Sequence, residues 1–96
     1  MKTIRKRVLI SGKVHGVGFR AATRLAVSQF SEIRGWVRNT NGNQVEAVFQ
    51  GDPEQIEALI EWCRNGPPTA VVEKVEVFDE EVDLSLPAQF SHKAND

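Results

Sequence analysis

The stretch Gly12-Lys-Val-His-Gly-Val-Gly-Phe-Arg20 holds the residues best suited to chemistry. Three glycines in seven positions let a backbone bend tightly and aim several N–H groups at one point. Arg20 stays cationic at any working pH and can fork onto two oxygens of one oxyanion. Set at the start of a helix, such a loop gains the positive end of the helix dipole, and a tetrahedral phosphate suits it. By residue types alone, a tight strand-to-helix turn with a solvated arginine fits equally well.

Other chemistries lose ground on inspection. Gly12-Lys13 is followed by Val14, so the nucleotide P-loop pattern is absent, and Gly16-x-Gly18 lacks the third glycine of a dinucleotide fingerprint. No arginine follows Cys63 at six positions, no G-x-S-x-G or S-x-x-K motif occurs, and Cys63 lies on the apolar stripe of a helix, so covalent catalysis has no evident nucleophile.

The elements that must position the loop can be read from periodicity. Residues 4–13 alternate, with Ile4, Val8 and Ile10 on one parity, as in a half-buried strand. Phe19, Ala22, Ala26 and Phe30, with Leu25 alongside, predict a helix from Phe19 to about Phe30. Residues 34–40 and 43–50 are extended runs around Asn41-Gly42, a hairpin signal. Asp52-Pro53-Glu54-Gln55 opens a second helix with an N-cap, a proline at the first position and a glutamine placed to reach back; its inner stripe is Ile56, Leu59, Ile60 and Cys63. Gly66-Pro67-Pro68 stops it, and residues 70–78 predict a strand with Val71, Val75 and Val77 on one face. An acidic loop from Asp79 to Asp83 leads to a short last strand around Ala88–Lys93. The order β-α-β-β-α-β predicts an α+β, ferredoxin-like sandwich, an antiparallel sheet with two helices on one face and the short fifth strand at an edge.

Ninety-six residues predict one domain, spanning 1–96, and 41% apolar with 26% charged residues is ordinary for a folded chain. No apolar run reaches membrane-spanning length and the N-terminus lacks the pattern of a secretory signal, so neither a membrane partner nor export is expected. One cysteine and two histidines fall short of a closed zinc set, which predicts a cytoplasmic protein without a structural metal. The net charge of -1 conceals an asymmetry: residues 1–38 carry nine Lys/Arg against Glu32, and residues 39–96 three against twelve acids. Either the halves interleave and their charges pair, or the first half hosts an anion.

Gly12-Lys-Val-His-Gly-Val-Gly-Phe-Arg20, followed by Gly35-Trp-Val-Arg-Asn39 and then Gly66-Pro67, resembles the acylphosphatase family over roughly residues 4–80. The resemblance implies the same sandwich and a cofactor-free, metal-independent hydrolysis of a small-molecule acyl phosphate. By position it makes Arg20 the arginine that binds the substrate phosphate and Asn39 the residue that orients water, with His15, Gly16, Val17, Gly18 and Phe19 as the main-chain cradle. It implies no nucleic-acid partner, and a monomer is expected. An anhydride has a good leaving group and a loose, charge-spread transition state, so positioning and charge stabilisation suffice. An amide is no strong base, so the water's proton is expected to pass to the substrate's own phosphate oxygen.

Three departures stand out. His15 replaces the family's usual Gln and could donate one hydrogen bond as the amide does. Ala21-Ala22 stand where an aromatic is common, which predicts a more open wall and room for bulkier acyl groups. His92 shares a pleat face with Phe90 where an aliphatic is usual, so that edge is exposed or His92 is hydrogen-bonded. Lys13 and Arg38 could add positive field, and Thr40 could join the water network, though solvated strand positions explain all three. Trp36, Phe19 and Phe78 read as core or half-core aromatics. One rival is a non-catalytic anion binder, or part of a larger carbamoyl-transferring enzyme for which the chain is too short. The other is an RNA-recognition module, for which Arg34-Gly35-Trp36 sits on the wrong strand, the first strand has no aromatic and the third only Phe49.

Overall fold

The computed structural model describes residues 2–95. Its elements are β1 (Ile4–Lys13), α1 (Phe19–Val27), β2 (Arg34–Asn39), β3 (Gln44–Gly51), α2 (Pro53–Asn65), β4 (Val71–Glu80) and β5 (Ser91–His92). The sheet order is β4-β1-β3-β2-β5; the first four strands are antiparallel to their neighbours and β5 runs parallel to β2. This is the ferredoxin-like sandwich expected from the element order.

Alternation in β1 buries Val8 and Ile10, which face Ala47 and Val45 of β3 across the ladder. These residues, with Val37 and Phe49, meet Ile56, Leu59, Ile60 and Cys63 of α2 and Phe19 and Val27 of α1 in one core cluster. The α2 stripe is therefore as predicted. Asp52 caps that helix, its carboxylate accepting from the N–H groups of Glu54 (3.1 Å) and Gln55 (3.2 Å), but the side chain of Gln55 does not complete the reciprocal bond.

Four expectations are corrected. First, α1 ends at Val27 and centres its buried face on Phe19, Thr23 and Val27, while Leu25 is 68% exposed. Thr23 escapes an apolar count, yet its hydroxyl donates to the Phe19 carbonyl at 2.8 Å and so can be buried. Second, the β1–β4 register shifts between Ser11 and Gly12, skipping Glu73, so Val72 and Val75 both face the core and Val71 does not. Gly12 belongs to this bulge rather than to the loop; at φ 130° a Cβ there would lie 2.2 Å from the Val71 carbonyl oxygen. Third, the hairpin forms around Asn41-Gly42 as predicted, but its strands stop at Asn39 and resume at Gln44, with Asn43 (φ 57°) in the left-handed region. Fourth, the last strand shrinks to Ser91–His92 and the acidic loop starts later, because β4 continues to Glu80. His92 is exposed there, and Phe90 stacks on Phe49 at 5.7 Å.

Strand order also answers the charge question for the strands. With β1 between β3 and β4, Arg5 pairs with Glu80, Lys6 with Asp79, and Arg7 with Glu46 and Glu80; Arg38 of β2 pairs with Glu46 at 2.7 Å. Arg20 and Arg24 enter none of these pairs.

Candidate active site

The connection from β1 to α1 is anchored at both ends by buried apolar side chains, Val14 and Phe19. Between them Gly16 (φ 70°) and Gly18 (φ 76°) take left-handed conformations that a side chain would strain. A Cβ on either would meet nothing within 4 Å, so conformation rather than crowding demands glycine, and the space beside the loop is open. Gly18 is also the N-cap of α1 and supplies no side-chain acceptor. The first helical bond runs from Ala22 N–H to the Gly18 carbonyl at 2.9 Å, which leaves the N–H groups of Phe19, Arg20 and Ala21 ahead of the ladder. Thr69 donates its hydroxyl to the Val17 carbonyl at 2.7 Å, fastening one side of the loop.

On the other side, the His15 ring donates from Nε2 to the main-chain carbonyl of Gln44 at 2.7 Å, the acceptor fixing the proton on Nε2. Gln44 starts β3, across the hairpin from Asn39 at the end of β2. Arg20, half-buried on the first turn of α1, donates from Nη1 to Oδ1 of Asn95 at 3.1 Å; the main-chain N–H of Asn39 donates to the same oxygen at 3.3 Å. Arg20 has no carboxylate within 4 Å among the described residues. Asn39 Oδ1 is buried and accepts no hydrogen bond from any described residue. The sequence-predicted loop, arginine and asparagine therefore meet at one place.

Secondary candidates fall outside it. Arg38 is spent on Glu46 and lies 5.3 Å from the Trp36 ring, Thr40 gives its hydroxyl to the Gln44 carbonyl at 3.3 Å, and Lys13 is exposed. Phe19 is core as predicted; Trp36 lies under Lys93 at 4.2 Å, and Phe78 lies under Arg7 at 4.5 Å, 37% exposed. Phe49 is fully buried and cannot stack on bases. Cys63 is buried, and desolvation pushes its thiol up to about 12 against a small opposing pull from Arg64. Among the described residues no three His, Cys, Asp or Glu side chains gather into a metal-binding group, and no helix is long and apolar enough to cross a membrane. Sequence reasoning missed Gln44, Thr69 and Asn95, whose contributions depend on tertiary contact and, for Gln44, on a main-chain carbonyl that any residue carries.

The acylphosphatase family model matches residues 6–91. The chain belongs to the acylphosphatase family. It is 49% identical to an acylphosphatase of Gloeobacter violaceus over 93% of this chain and 89% of that one. The solved acylphosphatase of Coxiella burnetii superposes with a TM-score of 0.84 at 35% identity, covering 95% of this chain and 93% of that one. That of Bacillus subtilis superposes with a TM-score of 0.85 at 26% identity, covering 94% and 98%. Acylphosphatase-type hydrolysis is thus the activity of the family in which this site is found. Ala21 and Ala22 flank α1 with open grooves: Ala22 lines an apolar one of about 520 Å³ toward Trp62 and Pro67, and Ala21 a mixed one of about 530 Å³ toward Phe90.

Proposed function

We propose that this acylphosphatase binds the phosphoryl group of an acyl phosphate with Arg20 and the main-chain N–H groups of the His15–Phe19 loop, and that Asn39 aims the attacking water. The observation that carries this reading is the convergence of Arg20 Nη1 and the Asn39 N–H on a single oxygen, that of the Asn95 carboxamide. A phosphoryl oxygen in that position would receive the same two donors, one of them charged. Asn39 Oδ1 is buried without a donor among the described residues, and a water O–H would satisfy it.

The chemistry balances without a nucleophilic side chain. Water oxygen bonds to phosphorus as the bond from phosphorus to the carboxylate oxygen breaks; the carboxylate departs with the electron pair, and a water proton moves to a phosphoryl oxygen. Arg20 and the loop hold charge that persists through a loose transition state, so they need no reorganisation during the step. The loop, Arg20 and Asn39 lie within one chain, so the proposed reaction needs no second copy, and the buried, free Cys63 suits a reducing compartment.

The test is turnover of benzoyl phosphate by chelator-treated protein, with Asn39→Ala beside it. Turnover should persist after chelation and fall about a hundredfold in Asn39→Ala, while inorganic phosphate binding stays within a few-fold of the parent. Loss of turnover on chelation, or full activity in Asn39→Ala, contradicts the reading.

A further inference from the structure

We infer that His15 is a positioning residue for the hydrolytic step: it sets the separation between the phosphate-binding loop and Asn39 by latching the loop to the Gln44 carbonyl. The inference rests on the roles proposed above for the loop and Asn39.

Three donors meet at that carbonyl. Thr40 N–H reaches it at 2.9 Å, Thr40 Oγ1 at 3.3 Å and His15 Nε2 at 2.7 Å, the shortest of the three. Two of them belong to the residue directly after Asn39, so wherever the carbonyl sits, the end of β2 follows. Gln44 is itself held from the far side, since its side-chain amide donates to Ser11 Oγ near the end of β1 at 2.9 Å. The carbonyl is therefore a fixed post, and the imidazole ties the loop to it.

The loop needs such ties. Its two left-handed glycines carry no side chains that could lock their conformation, and both are exposed. Beyond the Thr23 bond to Phe19 within α1, two side-chain bonds among the described residues hold it, on different partners. Thr69 fastens Val17 to the segment between α2 and β4, which carries no proposed reacting group. His15 fastens the loop to the hairpin that carries Asn39. Phosphate affinity rests mainly on the loop and the charged Arg20, with the neutral Asn39 N–H the weaker donor, whereas in-line attack depends on the distance from loop to Asn39, and a misplacement of about 1 Å can cost a hundredfold in rate. The latch should act on kcat and leave substrate affinity nearly unchanged.

The bond uses Nε2–H, which both the neutral ring and the imidazolium possess, so the latch does not depend on the protonation of His15. A primary amide of similar reach offers an N–H to the same carbonyl.

His15→Ala and His15→Gln, assayed with benzoyl phosphate beside Asn39→Ala, test the proposal. His15→Ala should lower kcat about tenfold or more with KM and the inorganic-phosphate Kd changed less than about threefold. His15→Gln should recover most of the loss with a pH–rate profile of unchanged shape. In amide NMR spectra the Asn39 and Thr40 signals should shift in His15→Ala and return in His15→Gln, while Ile56 in α2 stays put. Wild-type kcat in His15→Ala, a folded His15→Gln as slow as His15→Ala, or loss of one arm of the pH profile in His15→Gln overturns the latch. Asn39→Ala separates the layers: full turnover there sinks the site reading and the latch with it, whereas an inactive Asn39→Ala beside an unimpaired His15→Ala sinks the latch alone.

Discussion

The two helices of this sandwich each follow a strand, and their N-termini are finished in opposite ways. At α2, Asp52 places a carboxylate over the first turn, accepts from two main-chain N–H groups, and is followed by Pro53, which has no N–H to satisfy. At α1, the cap is Gly18 in a left-handed conformation, with no side-chain acceptor and no acid in the first turn; Arg20 stands there instead. The first terminus is completed by its own sequence. The second keeps its N–H groups and adds a cation, and on the proposed reading an anion from outside completes it. Two strand-to-helix junctions in one small fold thus set a structural cap beside the proposed binding site.

The comparison can be broken most severely by Arg20→Gln. Removing the guanidinium should lower kcat/KM by about a thousandfold and weaken inorganic phosphate binding in parallel, because the same group serves substrate and transition state. An effect on rate alone would mean that the phosphate is held elsewhere. The next change makes the α1 terminus resemble that of α2: Gly18→Asp supplies an internal carboxylate, and the phosphate Kd should rise about tenfold through competition for the N–H groups and through like charge. Unchanged phosphate binding in a folded Gly18→Asp would show that this helix end does not face the anion. The mildest change works on the other junction. Asp52→Ala should cost about 1 kcal/mol of stability, read from denaturant unfolding, with kcat and KM unaffected. A loss of activity at unchanged stability would erase the distinction between the two termini.

The same contrast governs what could be read from the sequence. The α2 junction was legible except for the reach-back of Gln55, which is not made, since Asp-Pro at 52–53 and the stripe Ile56, Leu59, Ile60 and Cys63 are local signals and the structure agrees with them. The loop and Arg20 could be read as the proposed anion site only in combination with the later Gly35-Trp-Val-Arg-Asn39 motif, because a glycine-rich turn alone has several uses. Errors arose where a long-range contact overrules local pattern. The bulge at Glu73 reverses the parity of β4, and the hydrogen bond of Thr23 to Phe19 lets a polar residue occupy the buried face of α1. Gln44 and Asn95 gave no signal, for one acts through its backbone and the other reaches the site from across the sheet edge.

A crystal structure with inorganic phosphate bound tests the central claim most directly. The anion should lie between the N–H groups of the His15–Phe19 loop and the Arg20 guanidinium, displacing the Asn95 carboxamide, with an ordered water on Asn39 Oδ1. Phosphate seated away from Arg20, or an Asn39 carboxamide turned from the anion with no water on its oxygen, would contradict the account.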